Sequence, residues 1–287
     1  MIKLQTIIKS SQIPASLNWD STVCSIGSCF SEHLINHLDK LGMNTAQNPS
    51  GIIYNTQSIA KIMQRVSDFD LFTEDDFFEH QGYFKSWLHH GYFSKSSINE
   101  AVEFANDQLS SFRKKAQSSD LFIITPSSSV VYKLKDTGDI VANCHRIPNN
   151  QFERTVLSTA ENVENLQSVI QSIQTIHSNC QIVLTLSPVR HYPGDLTLNS
   201  LSKARLLDAI HQVAEANQDV FYFPSYEIVL DELRDYRFFE SDMLHPSELA
   251  RQVVFQRFIE TTFSKQATAE LPERIRQSKQ NNHRPRR

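Results

Sequence analysis

The chain has 287 residues, of which 40% are hydrophobic and 21% charged, and this composition is typical of a globular protein with a substantial core. A net charge of −4 argues against a nucleic-acid-binding protein, which normally presents a basic face. The four cysteines form no CxxC pair, which excludes a zinc ribbon, and are too few for a disulfide framework. The first 17 residues lack the layout of a signal peptide, and no apolar run approaches the roughly 20 residues that span a bilayer. We therefore predict a cytoplasmic protein with no nucleic-acid or membrane partner.

The first part of the chain predicts one strand and two helices. Residues 21–28 form an apolar run that ends in a glycine and a serine, as a strand ends at a turn. Residues 31–41 place leucine and isoleucine at helical spacing, and residues 58–66 are again helical. We expect strand, helix, loop and helix in this order.

An aromatic-rich segment follows. Residues 67–95 contain six of the 18 phenylalanines, with two tyrosines and a tryptophan among them. This density predicts a separate apolar cluster, and residues 100–115 predict an amphipathic helix. We interpret residues 65–115 as an aromatic-rich helical insertion or cap.

Three apolar runs in the second half predict strands, over residues 120–125, 181–186 and 220–223. They do not alternate with polar residues, which indicates burial on both faces. Helical patterns over residues 159–178 and 200–216 separate them, and this alternation is typical of a parallel sheet. We predict an α/β fold, a three-layer sandwich of flavodoxin-like architecture, with a small hairpin within residues 130–142.

The end of the chain predicts one more helix, over residues 247–263, and a basic tail. Residues 271–287 carry six basic residues and one acidic residue, without apolar periodicity after Ile275. We expect a single domain over residues 1–265 and a disordered tail over residues 266–287. Its charge is more typical of a solvated end than of an RNA contact.

The turn after the first strand carries a candidate nucleophile, Ser28. A serine hydroxyl needs a base to remove its proton, and Gly27 permits a tight turn before it. At the carboxyl edge of a parallel sheet, the unpaired amides of the next helix can stabilise an oxyanion. Alternatively, Ser28 only caps this helix. Cys29 is a rival nucleophile because a helix start favours a thiolate, although we expect Cys29 to point back toward the sheet.

Asp242 and His245 are candidates for the orienting acid and the base. Pro246 disfavours helical geometry at His245 and so places it at a helix entrance, whose positive end opposes protonation of the imidazole. Asp242, one turn earlier, can accept the Nδ1 proton and fix the tautomer. The alternative is a capping aspartate and a surface histidine.

Several motifs together resemble one family. They are Gly27-Ser28-Cys29-Phe30-Ser31-Glu32, residues 48–55, Ala142-Asn143-Cys144-His145, residues 187–191, and residues 233–238 running into 242–246. With these motifs the sequence resembles the GSCFA family, a branch of the SGNH/GDSL hydrolase-like superfamily, from residue 25 to about residue 250.

The resemblance implies an SGNH-like fold and specific roles. Ser28 corresponds to the superfamily nucleophile, and Asp242 and His245 match the last conserved block. Gly51 matches the glycine of the second block, whose amide helps to form the oxyanion hole together with the amide of Ser28.

The sequence departs from the superfamily in the third block, which usually reads Gly-x-Asn-Asp. Here it reads Thr125-Pro126-Ser127-Ser128-Ser129, so the asparagine donor is missing. Loss of one oxyanion donor costs about 3–4 kcal/mol of transition-state stabilisation. Asn143 is our candidate replacement; alternatively, Asn143 holds a loop together.

Four further residues are candidates for substrate binding. Arg190 and His191 directly follow a predicted strand, so we expect them at the catalytic edge. Arg190 is suited to a carboxylate, a phosphate or a sugar hydroxyl, unless it forms a buried salt bridge. His90 and Trp87 belong to the aromatic segment and are candidates for a lid; a satellite core is the alternative.

These observations predict a serine-dependent ester hydrolase that acts on a small-molecule or carbohydrate ester through a Ser-His-Asp triad and an acyl-enzyme. A carbohydrate O-acyltransferase with the same residues is the first alternative. A noncatalytic carbohydrate-binding protein is the second, because of the missing asparagine. The sequence contains no nucleotide-binding loop, metal-binding motif or flavin fingerprint, so we expect no cofactor, and it indicates no oligomeric state.

Overall fold

A computed structural model describes residues 6–10, 13–14, 16–190 and 195–283. Its centre is a sheet of five parallel strands, β1 (Thr22–Gly27), β2 (Asn44–Gln47), β5 (Leu121–Thr125), β9 (Gln181–Leu184) and β10 (Val220–Tyr222). The strand order is β2-β1-β5-β9-β10, a flavodoxin-like order. Alternate residues of β5 enter the cores on opposite faces of the sheet, which confirms the predicted two-sided burial.

Helices cover both faces of this sheet and complete the predicted three-layer sandwich. They are α1 (Cys29–Lys40), α2 (Thr56–Asp68), α3 (Ile98–Ala116), α4 (Thr159–Ile176), α5 (Leu196–Ala216), the short α6 (Ser225–Glu227), α7 (Glu248–Thr262) and α8 (Lys265–His283). Helices α2 to α5 bury side chains in one core, whereas α1, α7 and the start of α8 contribute to the other. No helix of the described residues is both long and apolar enough to cross a bilayer.

The aromatic segment differs from the predicted helical insertion. Between α2 and α3, the chain forms short 3-10 turns and an antiparallel hairpin of β3 (Phe78–His80) and β4 (Tyr83–Lys85). Gln81 and Gly82 connect these strands with positive φ angles, as a two-residue hairpin turn requires. Only α3 is a regular helix, and it contacts β1 and β2.

A second small sheet confirms the predicted hairpin and extends it. Strand β6 (Val130–Leu134) pairs antiparallel with β7 (Ile140–Val141) and also with β8 (Phe152–Val156). Because the loop after β7 returns toward the aromatic segment, this sheet lies beside it; the amide of Ala142 donates to the carbonyl of Trp87 at 2.8 Å.

The predicted disordered tail is wrong for residues 266–283, which belong to α8. The indole Nε1 of Trp19 donates to the carbonyl of Ala267 at 2.9 Å, and the guanidinium of Arg274 lies 4.7 Å from the Trp19 ring centre. Arg274 also donates to the carbonyl of Leu41 at 3.2 Å. These contacts with distant parts of the chain hold α8, and composition alone does not reveal them. Residues 284–287 lie outside the described residues.

Candidate active site

The candidate site lies where the strand order reverses. Strands β1 and β5 are neighbours, and the chain leaves them toward opposite faces, which opens a crevice at their carboxyl ends. Gly27 ends β1 with a φ of +145°, and a Cβ added there would lie 2.3 Å from the carbonyl oxygen of Thr125. Only glycine therefore allows this close approach of the two strand ends.

Ser28 is more deeply buried than its neighbour Cys29. Ser28 is the N-cap of α1 and has no exposed surface, and its hydroxyl has no hydrogen-bond partner. The structure thus does not join Ser28 to His245 by a hydrogen bond. Cys29, the first residue of α1, is only half-buried, and the amides of Cys29 and Phe30 face its sulfur. The Cys29 side chain also packs against the core between α1 and the sheet.

Opposing effects act on the Cys29 thiol. Burial and the Glu32 carboxylate raise its pKa, whereas the two amides and the Lys203 ammonium lower it. Burial is the largest effect, so the pKa lies above the ordinary value and the thiol is protonated at neutral pH. A reaction at this sulfur therefore requires a base.

Lys203 is a buried cation beneath this edge of the sheet. It belongs to α5 and is 2% exposed. Its Nζ donates to the carbonyl of Ser187 at 2.6 Å and to the hydroxyl of Ser127 at 3.4 Å. Burial lowers its pKa to about 7, and the nearby Cys29 opposes this effect. The ammonium thus lies beside the third-block serines that replace the superfamily's asparagine.

The structure joins Asp242 and His245. The Asp242 carboxylate accepts a hydrogen bond from His245 Nδ1 at 2.7 Å, so the ring carries its proton on Nδ1 and presents Nε2 as an acceptor. The carboxylate also accepts from the amides of Leu244 and His245, at 2.8 and 3.0 Å. These hydrogen bonds hold the pKa of Asp242 at about 2, so the carboxylate stays ionised.

A backbone hydrogen bond connects the His245 loop to this edge of the sheet. The amide of Arg190, in the loop after β9, donates to the carbonyl of Leu244 at 3.1 Å. The loop that carries His245 therefore lies beside the loop that follows β9, at the carboxyl edge of the sheet.

The amides predicted for the oxyanion hole are already engaged. Ser28 donates its amide to the carbonyl of Thr125 at 3.0 Å, and Gly51 donates its amide to the carbonyl of Asn48 at 2.8 Å. Neither amide is free to receive an oxyanion in this conformation, which corrects that part of the prediction. The first amides of α1, which face the Cys29 sulfur, are the alternative donors.

The predicted oxyanion donor Asn143 and the predicted lid residue Trp87 both have structural contacts. Asn143 accepts a hydrogen bond from the amide of His145 at 2.7 Å, which matches the loop-stabilising alternative. Trp87 stacks on Phe78 with ring centres 4.1 Å apart, in a satellite cluster rather than a lid.

Two more of these residues lie in loops. His90 donates its amide to the carbonyl of Ser50 at 2.8 Å, and its Cβ fills the space above Gly51. The guanidinium of Arg190 lies 5.0 Å from the ring centre of Phe239. His191 lies outside the described residues.

Three residues at this edge are absent from the predicted site, namely Glu32, Asn48 and Lys203. The Asn48 side chain accepts from the amide of Gly27 at 2.8 Å and donates to Glu32 at 3.1 Å, so it connects the turn after β1 to α1. The positive φ of Asn48 is compatible with asparagine, and an Asn-Pro pair is a turn signal in the sequence. Lys203 has no such signal, because a helical lysine is normally exposed.

Comparison of the sequence with models of known protein families assigns the chain to a family. The family model described as GSCFA family matches residues 22–258. The chain belongs to the GSCFA family. This GSCFA chain matches no curated protein sequence.

Solved structures resemble the GSCFA chain only distantly. A proposed platelet activating factor from Streptococcus pneumonia is 12% identical, with 84% of this chain and 83% of that chain covered and a TM-score of 0.43. A carbohydrate esterase family 3 protein from Talaromyces cellulolyticus is 8% identical, with 91% and 99% covered and a TM-score of 0.39. An acetyl xylan esterase from the rumen bacterium Butyrivibrio proteoclasticus is 10% identical, with 84% and 62% covered and a TM-score of 0.40. Likenesses at this level carry no argument about activity.

Proposed function

We propose that this GSCFA protein hydrolyses acyl esters, with Cys29 as the nucleophile and the Asp242–His245 pair as its base. The sequence predicted Ser28 as the nucleophile. We propose Cys29 instead, because Ser28 has no exposed surface and its hydroxyl has no hydrogen-bond partner. The observation that carries the proposal is the 2.7 Å bond between Asp242 and His245 Nδ1, which leaves Nε2 as a proton acceptor at the edge of the sheet.

The reaction has two steps. His245 Nε2 takes the thiol proton, and the thiolate of Cys29 attacks the ester carbonyl to form a tetrahedral oxyanion. When the C–O bond breaks, the alkoxide leaves with the proton from His245, and a thioester remains on Cys29. His245 then removes a proton from water, the hydroxide attacks the thioester, and the acid departs as the thiol regains its proton.

Positive charge near the sulfur favours both the thiolate and the oxyanion. The amides of Cys29 and Phe30 face the sulfur, and Lys203 lowers the pKa of the thiol. Because these groups are fixed before the reaction, they need no reorganisation when negative charge develops. They supply the stabilisation that the missing third-block asparagine provides in the superfamily.

The test is acyl transfer from p-nitrophenyl acetate to the wild type and to Cys29→Ala, Cys29→Ser and Ser28→Ala. We expect Cys29→Ala to abolish the burst of p-nitrophenol and Ser28→Ala to keep it. Peptide mass spectrometry should place the acetyl group on Cys29, and neutral hydroxylamine should remove it as it removes thioesters. Cys144→Ser is the matched control, because Cys144 is another half-buried thiol.

The opposite pattern contradicts the choice of nucleophile. Loss of the burst in Ser28→Ala, with retention in Cys29→Ala, would assign the reaction to the serine. Acetylation of neither residue in a folded protein would favour the noncatalytic alternative. Transfer instead of hydrolysis would appear as acetylated sugar when candidate acceptors are added.

A further inference from the structure

A groove beside the candidate site has the features of a ligand-binding surface. Its cavity volume is about 620 Å³, within the range of roughly 300–1,000 Å³ that is common for small-molecule sites. One wall is the β3–β4 hairpin with the turn that follows it, and the other is the loop after β7. We call it the hairpin groove, and Tyr83, Lys85, His90, Tyr92, Asn143 and Arg146 are among its lining residues.

The groove combines aromatic surface with positive charge. Tyr83 and Tyr92 are 51% and 52% exposed, although large aromatic side chains are usually more buried. Lys85 and Arg146 also line it, and none of the described lining residues is acidic. Neither cation forms an ion pair within the described part of the chain. Two cations are thus available to an anionic ligand.

The loop that carries Arg146 is held in an unusual conformation. His145 and Arg146 have φ angles of 50° and 61°, in the left-handed region that most residues avoid. Asn143 accepts from the amide of His145 at 2.7 Å, and the ring Nε2 of His145 donates to the carbonyl of Ser86 at 2.7 Å. Consecutive strained residues that are fixed in this way cluster at binding sites.

The groove adjoins the loop that contains Gly51, and the amide of Ile53 in this loop donates to the carbonyl of Gly27 at 2.9 Å. The Cβ of His90 and the ring of Tyr92 close over Gly51, so close that a Cβ on this glycine would meet them at 2.4 and 2.9 Å. Two groove residues therefore pack on the loop that is hydrogen-bonded to the turn after β1.

We propose that the hairpin groove binds an acidic carbohydrate, a sugar chain that carries carboxylate or phosphate groups. The tyrosine rings offer apolar faces to sugar rings, and Arg146 and Lys85 pair with the anionic groups. This inference rests on the proposed ester hydrolysis, because it names the substrate class as an acylated acidic sugar.

Calorimetric titration of unesterified sugars tests the groove. We expect trigalacturonate to bind roughly tenfold or more tightly than neutral galactotriose, with an affinity that falls as salt is added. The double variant Lys85→Gln/Arg146→Gln should lose this preference. The matched variant Lys135→Gln/Arg276→Gln removes two cations that do not line the groove and should keep it. Galactose 6-phosphate shows whether a phosphate serves as the anion as well as a carboxylate.

Equal binding of acidic and neutral sugars, or no binding of either, would overturn the proposal. An unchanged preference in Lys85→Gln/Arg146→Gln would do the same. Because these ligands contain no ester, an active esterase without the preference overturns the groove alone. An inactive protein with the preference overturns the hydrolysis alone.

Discussion

Replacement of Lys203 by methionine should stabilise the protein at neutral pH. Lys203 is 2% exposed, and its pKa falls from 10.5 to about 7 on folding, chiefly through burial. One pKa unit corresponds to about 1.4 kcal/mol, so the buried ammonium costs roughly 4–5 kcal/mol of folding free energy at low pH. Methionine has a similar length and no charge, although it leaves the carbonyl of Ser187 without this donor. That loss, about 1–3 kcal/mol, offsets part of the gain.

The pH dependence of stability separates the cost of the buried charge from the loss of the hydrogen bond to Ser187, because only the first depends on pH. Below pH 7 both the folded and the unfolded protein carry the proton on Lys203, so the penalty is fully present. Between about pH 7 and 10.5 the unfolded chain binds more protons at this lysine, and the contribution of Lys203 to the stability of the wild type therefore rises with pH. From pH 7 to 9 this group should add roughly 2 kcal/mol to the free energy of unfolding. Lys203→Met lacks this increment, so its advantage over the wild type shrinks.

Urea unfolding at about pH 6, 7, 8 and 9 measures this difference. The exposed Lys135→Met is the control, because it removes a lysine that remains in water and should follow the wild type at every pH. The thiols of the unfolded chain titrate near pH 8.5, within this window, but all four cysteines are present in every variant, so the comparison between variants isolates Lys203. Parallel curves for the wild type and Lys203→Met across this range would refute the assignment of a depressed pKa to Lys203.

Three further substitutions have definite expected outcomes. Gly27→Ala should destabilise the protein by roughly 2–4 kcal/mol in urea unfolding, because its Cβ would lie 2.3 Å from a carbonyl of the neighbouring strand at a φ of +145°. Arg257→Met should cost roughly 3–5 kcal/mol, because it leaves the buried Glu232 without the guanidinium that now lies 2.7 Å away. Asp242→Asn should lower kcat for p-nitrophenyl acetate roughly 10³- to 10⁴-fold with little change in KM, because His245 loses its carboxylate partner.

Each substitution has a matched control. Gly82→Ala introduces a Cβ at a φ of +77° in open space, so a loss of about 1 kcal/mol is expected. Arg276→Met breaks an exposed pair and should change stability by less than about 1 kcal/mol. Asp235→Asn alters another carboxylate in the segment before α7 and should preserve kcat. If a control matched its partner variant, the stated mechanism for that variant would be wrong.

Four of the five strands of the central sheet were predictable because they are encoded locally as apolar runs, whereas the edge strand β2 (Asn44–Gln47) is polar and was not predicted. A run such as residues 121–125 is apolar throughout, and only a strand covered on both faces buries every residue of such a run. The conformation of residues 266–283 was not predictable from composition, because Trp19 and Leu41 contact α8 from more than 220 positions away. Helix formation there depends on tertiary contacts rather than on an apolar stripe.

The candidate site also combines features that are encoded locally with features that depend on tertiary contacts. Asp242 and His245 are three residues apart, so their hydrogen bond follows from local geometry, and the sequence predicted it. The choice between Ser28 and Cys29 depends on the direction of the chain as it leaves β1. A difference of one residue there separates a fully buried side chain from a half-buried one. Spacing in the sequence does not fix this direction, and the hydrogen bond that the amide of Gly27 donates to the side chain of Asn48 contributes to it.

The buried charge of Lys203 connects stability to the proposed chemistry. It lowers the pKa of the Cys29 thiol, while burial lowers its own pKa to about 7. When His245 removes the thiol proton, negative charge appears beside an ammonium that was costly to bury, and part of that cost is recovered in the thiolate. A protein selected for stability alone would replace this lysine with an apolar residue. Lys203→Met should therefore be more stable at pH 7 and react more slowly with iodoacetamide at Cys29, whereas a variant that gains both stability and thiol reactivity would contradict this coupling.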